Sequence, residues 1–178
     1  MIMVMETERL ILRPWTEADA QDVYRYAKDP EIGPAAGWKP HESVEESRAV
    51  IRDILSAEGT YAVVLKETGR PIGSIGIMRN TDHAKGEDTA EIGYWLGKPY
   101  WGRGLIPEAV RECLRRCFAE LNCSEVWCCY YAGNEKSRRV QEKCGFRYHH
   151  KIENRLNSLG ECHTVYVNRI TKAEYEER

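Results

Sequence analysis

A glycine-rich junction at residues 100–109 constrains the fold of this chain more than any other feature. Its sequence is YWGRGLIPEA, and it separates a strand-like run at 91–96 from an amphipathic helical run that ends near Leu121. Two glycines one residue apart let the backbone turn sharply and leave its N–H groups unobstructed. The first amides of a helix have no acceptor inside the helix, and the helix dipole adds positive charge there. The junction therefore predicts a strand, a tight turn and a helix, with an anion site suited to phosphate or pyrophosphate.

The common phosphate-binding motifs do not match this junction. A P-loop has Lys followed by Ser or Thr after its last glycine, whereas Leu105 and Ile106 follow here. The dinucleotide fingerprint needs a third glycine where Pro107 stands, and an acidic residue at the end of the next strand, whereas Glu125 lies at its start. The junction alone leaves a plain tight turn as the alternative, so the ligand has to be inferred from other motifs.

The composition is that of an ordinary soluble domain. The chain has 178 residues, of which 30% are charged and 42% hydrophobic, with a mean hydropathy of -0.59. This length predicts one domain spanning residues 1–178. No apolar run approaches membrane-spanning length, and the apolar opening at residues 1–5 is too short for a signal-peptide core. With a formal charge of -2, we expect a cytoplasmic protein with no nucleic-acid or membrane partner.

The seven cysteines are predicted to be free thiols in a reducing compartment. Their number is odd, no secretion signal is expected, and no Cys-x-x-Cys pair occurs. Cys113 and Cys117 fall four residues apart on the apolar side of the helix after Gly104. We therefore expect small buried hydrophobic side chains and no metal site.

The hydrophobic periodicity predicts a chain that mixes strands and helices, hence an α/β fold. Helices are predicted at 17–28, after Ser43, after Gly104 and from Asn134 to a stop at Gly145, with Thr16, Ser43 and Asn134 as N-caps. Strands are predicted at 9–12, 60–65, 71–78, 91–96, 125–131, 146–152 and 162–168.

Three further motifs give the junction its context. They are EIGYWL at 91–96, NEKSRRVQEKCGF at 134–146, and an opening ERLILRP at 8–14 with a Gly37-Trp38 loop. With the junction, they resemble the GCN5-related N-acetyltransferase (GNAT) superfamily, and most of all its ribosomal-protein N-terminal acetyltransferase branch. The resemblance covers nearly the whole chain. It implies a GNAT-type mixed, mostly antiparallel central sheet with helices on both faces, whose fourth and fifth predicted strands splay apart to admit CoA.

The resemblance also implies an activity. The enzyme would move an acetyl group from acetyl-CoA to a primary amine, by direct attack through a tetrahedral intermediate. The branch favours a protein N-terminal α-amine, and the alternatives are a small-molecule amine (antibiotic, polyamine or amino acid) or a catalytically silent CoA-binding module. A binder of another phosphate ligand or nucleotide at the same turn is a further alternative. The oligomeric state is not encoded, and a homodimer is one state the sequence allows.

Several residues are implied to bind acetyl-CoA. The backbone amides at 101–106 would hold its pyrophosphate, namely those of Trp101, Gly102, Arg103, Gly104, Leu105 and Ile106. The backbones of Trp95 and Leu96 would bind the pantetheine and the acetyl carbonyl, and Asn134 would reach the pantetheine. Among the basic residues at 136–143, Arg139 is the one we expect to contact a phosphate.

The catalytic residues are less directly implied. The family often has a tyrosine acid seven residues after the Asn134 position, but Gln141 stands there and has no acidic proton. Ser137 is the substitute candidate for a hydrogen bond to the leaving thiolate, and Glu91 is the candidate general base. Trp38 and Tyr130 are the candidates for acceptor contacts, with the loops at 79–89 and 155–160 expected beside them.

Overall fold

The computed structural model describes residues 3–178, so Met1 and Ile2 of the apolar opening lie outside the described residues. The chain divides into two compact units. The first unit contains the residues up to Gly76 together with Tyr94–Ala109. The second contains Ile77–Gly93 and Val110–Arg178. Within residues 3–178, no helix is both long enough and apolar enough to cross a bilayer.

The first unit is built on antiparallel strands that pair in chain order. They are β1 (Met5–Glu6), β2 (Leu10–Arg13), β3 (Thr60–Leu65) and most of β4 (Arg70–Met78). The turn between β3 and β4 uses Gly69 at φ +68°, a conformation that glycine adopts without strain.

The helices of the first unit begin at capped residues. A 3₁₀ turn at Glu17–Asp19, capped by Thr16 and Asp19, leads into α1 (Ala20–Ala27). A short α2 (Gly33–Ala36) follows, and then α3 (Val44–Val50), which continues as a π-helical turn at Ile51–Leu55. The Ser43 hydroxyl accepts from Glu46 N–H (3.0 Å) and caps α3. These helices bury apolar side chains against β3, the core residues being Trp15, Ala20, Val23, Ala27, Ile51, Ala62 and Val64.

Besides β4, whose last two residues belong to the second unit, two elements begin in one unit and end in the other. They are β5 (Thr89–Leu96) and α4 (Leu105–Ala119), which are joined through a 3₁₀ turn at Lys98–Tyr100.

The rest of the second unit contains three strands and two helices. It comprises β6 (Glu125–Tyr131), α5 (Glu135–Lys143), β7 (Arg147–Leu156), β8 (Cys162–Thr171) and α6 (Lys172–Glu176). β8 pairs antiparallel with both β6 and β7. The strands described in residues 3–178 form one sheet in the order β1-β2-β3-β4-β5-β6-β8-β7.

The predicted α/β fold with a mixed, mostly antiparallel sheet is confirmed. The fourth and fifth predicted strands are β5 and β6, because the short β1 precedes them. They pair in parallel only from Thr89–Glu125 to Glu91–Trp127, and then run on to Leu96 and Tyr131. Because β5 and β6 are paired over this short stretch alone, the predicted separation of the two strands is confirmed.

Candidate active site

The glycine junction forms the predicted turn in the first unit. Gly102 and Gly104 have φ of +74° and +75°, a region that disfavours side chains with a Cβ. α4 begins at Leu105, and the bond from Glu108 N–H to Gly104 O (3.2 Å) closes its first turn. A Cβ added at Gly102 would meet no atom within 4 Å, so the backbone is open to a ligand there. The geometry suits an anion.

An ion pair that the motifs did not predict anchors this turn. The Glu108 carboxylate accepts from the Thr7 hydroxyl (2.6 Å), from Arg9 N–H (2.8 Å) and from Arg9 Nε (2.8 Å). Arg9 Nη1 also donates to Arg103 O (2.9 Å). Burial alone would raise the pKa of Glu108, but the hydrogen bonds from Thr7 and Arg9 outweigh it and lower that pKa. The turn between β1 and β2 therefore fixes the glycine turn.

The backbone groups predicted to bind pantetheine lie at the end of β5. Leu96 O accepts from the Trp101 indole Nε1 (2.9 Å), and Trp101 N–H donates to Lys98 O (3.2 Å). Trp95 O lies so close to Gly73 that a Cβ there would come within 2.4 Å. The two carbonyls and the Trp101 amide therefore already have contacts within the first unit.

Trp38 lies in an aromatic group of the first unit. Its ring is 5.9 Å from that of Trp95, edge to face, and 5.2 Å from that of His41. Trp15 stacks on Trp95 with a centroid distance of 6.5 Å. A Cβ on Gly33 would come within 2.6 Å of Trp38, so this packing needs a glycine there. The structure thus places two of the predicted site residues, Trp38 and Trp95, in contact.

Glu91 lies in the second unit, half-buried, beside a thiol. Its Oε1 accepts from Cys129 Sγ (3.6 Å), whose pKa is raised by burial and by the Glu91 charge, so the thiol keeps its proton. A ring nitrogen of His83 completes a group in which the three polar atoms lie within 4.8 Å of one another. Glu91 is thus not a surface glutamate at a strand end, and neither of its neighbours was predicted.

His83 also lines an open cavity of about 410 Å³ in the second unit. Its other lining residues are Asp82, Lys85, Trp127, His150, Ile152 and Arg155. Asp82 forms an ion pair with Arg155. The loop at 79–89, which was expected on the acceptor side, therefore meets Arg155 around this cavity. Arg155 and Leu156 belong to β7 and not to the loop expected at 155–160.

Helix α5 holds Asn134, Ser137 and Gln141 in one hydrogen-bonded group. Asn134 Oδ1 caps the helix by accepting from Ser137 N–H (3.2 Å). Gln141 is fully buried, and its Nε2 donates to Cys129 O (3.0 Å) and to Ser137 Oγ (3.2 Å). Its Oε1 accepts from Asn168 Nδ2 (2.7 Å). Gln141 therefore orients the Ser137 hydroxyl and ties α5 to β6 and β8.

The basic residues of α5 differ in their partners. Arg138 is neutralised by Glu135 (2.7 Å) and Glu142 (2.8 Å). Arg139 is exposed and forms no ion pair within residues 3–178. Tyr130 stacks on Tyr166 with a centroid distance of 5.3 Å. Arg139 is thus the arginine of the two whose charge is available to a ligand, and Tyr130 is packed against β8.

The comparisons with known proteins agree with this architecture. The sequence family described as an acetyltransferase (GNAT) domain matches residues 9–147. "Uncharacterized N-acetyltransferase p20" of Bacillus licheniformis is 31% identical over 174 residues, covering 95% of this chain and 96% of the relative. "Putative ribosomal N-acetyltransferase YdaF" of Bacillus subtilis is 39% identical over 87 residues, covering 49% of this chain and 48% of that protein. A GNAT-family acetyltransferase structure from Bacillus anthracis superposes with a TM-score of 0.85 at 23% identity, covering 96% and 99% of the two chains.

The fold and the family match are those of an acyltransferase that takes its acyl group from a CoA thioester. The chain belongs to the GNAT family of acetyltransferases. Acetyl-CoA as co-substrate and an amine as acceptor follow from that membership. The role of each individual residue stays a prediction.

Proposed function

We propose that this acetyltransferase acts on the α-amine of protein N-termini. The observation that carries the proposal is the half-buried Glu91 carboxylate, which lies within 4.8 Å of a ring nitrogen of His83. His83 in turn lines an open cavity with charged and aromatic walls. The first residues of a polypeptide combine a charged amine, a polar main chain and side chains of mixed polarity. A cavity with charged and aromatic walls suits such a ligand. The likeness of half the chain to a protein named as a ribosomal N-acetyltransferase supports the same acceptor.

Acetyl-CoA is bound in part by the first unit. The amides at 102–106 donate to the pyrophosphate. The Trp101 amide, which the sequence also assigned to the pyrophosphate, is left out of this set because its N–H already donates to Lys98 O. The backbones of Trp95 and Leu96 bind the pantetheine and the acetyl carbonyl. Trp38, in contact with Trp95, bounds the acceptor.

Further roles are proposed for residues of the second unit. Glu91 accepts the proton that the ammonium group must lose before its nitrogen can attack the thioester carbon. As the carbon–sulfur bond breaks, the Ser137 hydroxyl donates to the leaving thiolate. The Asn134 amide binds the pantetheine, Arg139 contacts a phosphate of CoA, and Tyr130 lies on the acceptor side. Because the family match at 9–147 includes residues of both units, we interpret 1–178 as one domain.

A thiol-release assay with a panel of amines tests the acceptor class. The panel contains peptides with different free N-terminal residues, the same peptides with blocked N-termini, an internal lysine, a polyamine and an aminoglycoside. We expect turnover only with the free N-termini. Mass spectrometry should locate the acetyl group on the α-amine. Turnover confined to the polyamine or the aminoglycoside would overturn the proposal in favour of a small-molecule acetyltransferase.

A further inference from the structure

Three potential metal ligands converge in the second unit. A ring nitrogen of His83, a carboxylate oxygen of Glu91 and Cys129 Sγ lie within 4.8 Å of one another, and all three residues are half-buried. No short-range motif predicts this group, because its members come from three segments of the chain. It is a mixed nitrogen, oxygen and sulfur donor set, which is different from a simple cluster of acidic side chains.

The parallel pairing of β5 and β6 brings two of these ligands together. Glu91 is opposite Trp127, and Cys129 lies two residues further along β6, on the same face as Trp127. The resulting distance from Cys129 Sγ to Glu91 Oε1 is 3.6 Å. Both ligands are therefore held by paired strands.

The third ligand sits on an anchored turn. The Thr81 hydroxyl accepts from His83 N–H (3.3 Å) and from Ala84 N–H (3.0 Å). Ala84 is fully buried against Trp127, and the His83 ring lies 6.5 Å from the Trp127 ring. The backbone at His83 is thus fixed, and its ring needs only a side-chain rotation to adjust its position.

The separations suit zinc. With bond lengths of about 2.0–2.3 Å, tetrahedral ligand atoms lie roughly 3.3–3.6 Å apart. The sulfur and carboxylate oxygen already have this spacing, and the 4.8 Å limit leaves the imidazole about an ångström to travel. Thiolate and imidazole favour zinc over magnesium or calcium. A thiolate and a carboxylate with a neutral imidazole also balance the two charges of the ion.

We propose that His83, Glu91 and Cys129 form a zinc site with three protein ligands and one open position. The ion enters through the cavity that His83 lines. A water molecule on the cavity side is the fourth ligand. Binding transfers the Cys129 thiol proton to solvent. If Glu91 is the general base of the proposed function, the bound ion occupies its carboxylate and inhibits acetyl transfer.

Zinc titration of the reduced, full-length protein without acetyl-CoA tests the site directly. Competition with a colorimetric chelator should give one ion per chain. Cys129→Ser and His83→Ala should each weaken binding by more than about 100-fold, since even second-shell changes often cost 10–100-fold. Cys162→Ser, at an exposed thiol outside the group, is the matched control and should change nothing. Cobalt should show a sulfur-to-metal charge-transfer band in wild type that is absent from Cys129→Ser.

Three results would overturn the site. The first is a wild-type protein that binds no zinc in the titration, the second is binding that survives both ligand substitutions, and the third is binding that disappears with Cys162→Ser. A melting temperature equal to that of wild type shows that a variant is folded. If Cys129→Ser does not fold, His83→Ala provides the test, because His83 lies in a loop. Because the titration needs no turnover, its outcome is independent of whether Glu91 proves to be the base.

Discussion

At the scale of single residues, the Glu91 side chain is the group on which the proposed chemistry depends most. Glu91→Gln keeps the shape and the Cys129 contact but removes the basicity. Turnover should fall by about 100-fold or more, the usual contribution of a general base, while acetyl-CoA affinity is unchanged. Single-turnover kinetics and calorimetry measure the two quantities. Glu125→Gln, on the neighbouring strand, is the control, and wild-type turnover in Glu91→Gln would remove this residue from the mechanism.

Ser137 provides the second residue-scale prediction. Ser137→Ala should lower turnover by roughly 10–100-fold, the loss of one hydrogen bond to a charged group, and should spare CoA binding. The fold should tolerate it, because Gln141 Nε2 still donates to Cys129 O. Ser124→Ala, which loses a hydroxyl bonded to Asp88 at the surface, is the comparison. Equal turnover in the two variants would assign the thiolate to a tyrosine or to water.

Gln141 shows where residue-level reading stops. The sequence shows that Gln141 stands where the family often has a tyrosine. Its neighbours along the helix are mostly charged, so nothing in the helix sequence indicates that Gln141 is fully buried. Its burial depends on Asn168 and on Cys129 O, which are distant in sequence and supply its hydrogen bonds. The His83, Glu91 and Cys129 group escaped prediction for the same reason.

At the scale of elements, the glycine turn before α4 offers a test with a built-in control. Gly102→Ala and Gly69→Ala each place a Cβ in open space at a similar positive φ. Both should therefore lose about 1–2 kcal/mol of stability. Only Gly102→Ala should also weaken CoA, as measured by calorimetry. Equal CoA affinity in both variants would exclude this turn from the pyrophosphate site.

The two capped helices allow a similar comparison. Asn134→Ala and Ser43→Ala each remove an N-cap bond, to Ser137 N–H and Glu46 N–H respectively, and each should cost about 1 kcal/mol. If the Asn134 amide also binds pantetheine, only its variant should lose CoA affinity. Thermal unfolding with and without CoA reports both effects. A stability loss with unchanged affinity would leave Asn134 as a cap alone.

Strong local patterns predicted most elements well. The strand at 125–131 is β6 in full, and Thr16, Ser43 and Asn134 are the N-cap positions that the sequence indicated. The missed elements are short. β1 has two residues, α2 four and α6 five, too few for a periodic signal. β1 and α2 form because Leu12 pairs with Met5 and because Gly33 packs under Trp38. A capping box of Thr171 and Glu174 begins α6.

At the scale of the whole molecule, acid should weaken the fold through Asp19. Burial would raise the pKa of Asp19, but its hydrogen bonds with Arg13 and Thr16 outweigh this and hold that pKa below the ordinary value for an aspartate. A lowered folded-state pKa gives stability that is complete above the unfolded pKa and is lost as pH falls through the folded one. Asp19→Asn should therefore cost about 2 kcal/mol at neutral pH, the worth of a charged hydrogen bond.

In acid, below the pKa of Asp19, wild type and Asp19→Asn should converge in stability, because the wild-type carboxyl is then protonated. Urea unfolding at the two pH values measures this. Asp53→Asn, an exposed carboxylate paired with the adjacent Arg52, should match wild type throughout. A difference for Asp19→Asn that does not change with pH would mean that packing, and not charge, accounts for it.

The distribution of the thiols makes the protein a convenient reporter of its own unfolding. Among residues 3–178, Cys162 is the one exposed cysteine, at the tip of the β7–β8 hairpin opposite Leu156. Cys129 is half-buried, and the other five are buried. A maleimide fluorophore should thus attach first at Cys162 and reach the buried thiols only when their surroundings open. The rate at which each buried thiol is labelled then measures how often its surroundings open in the native protein.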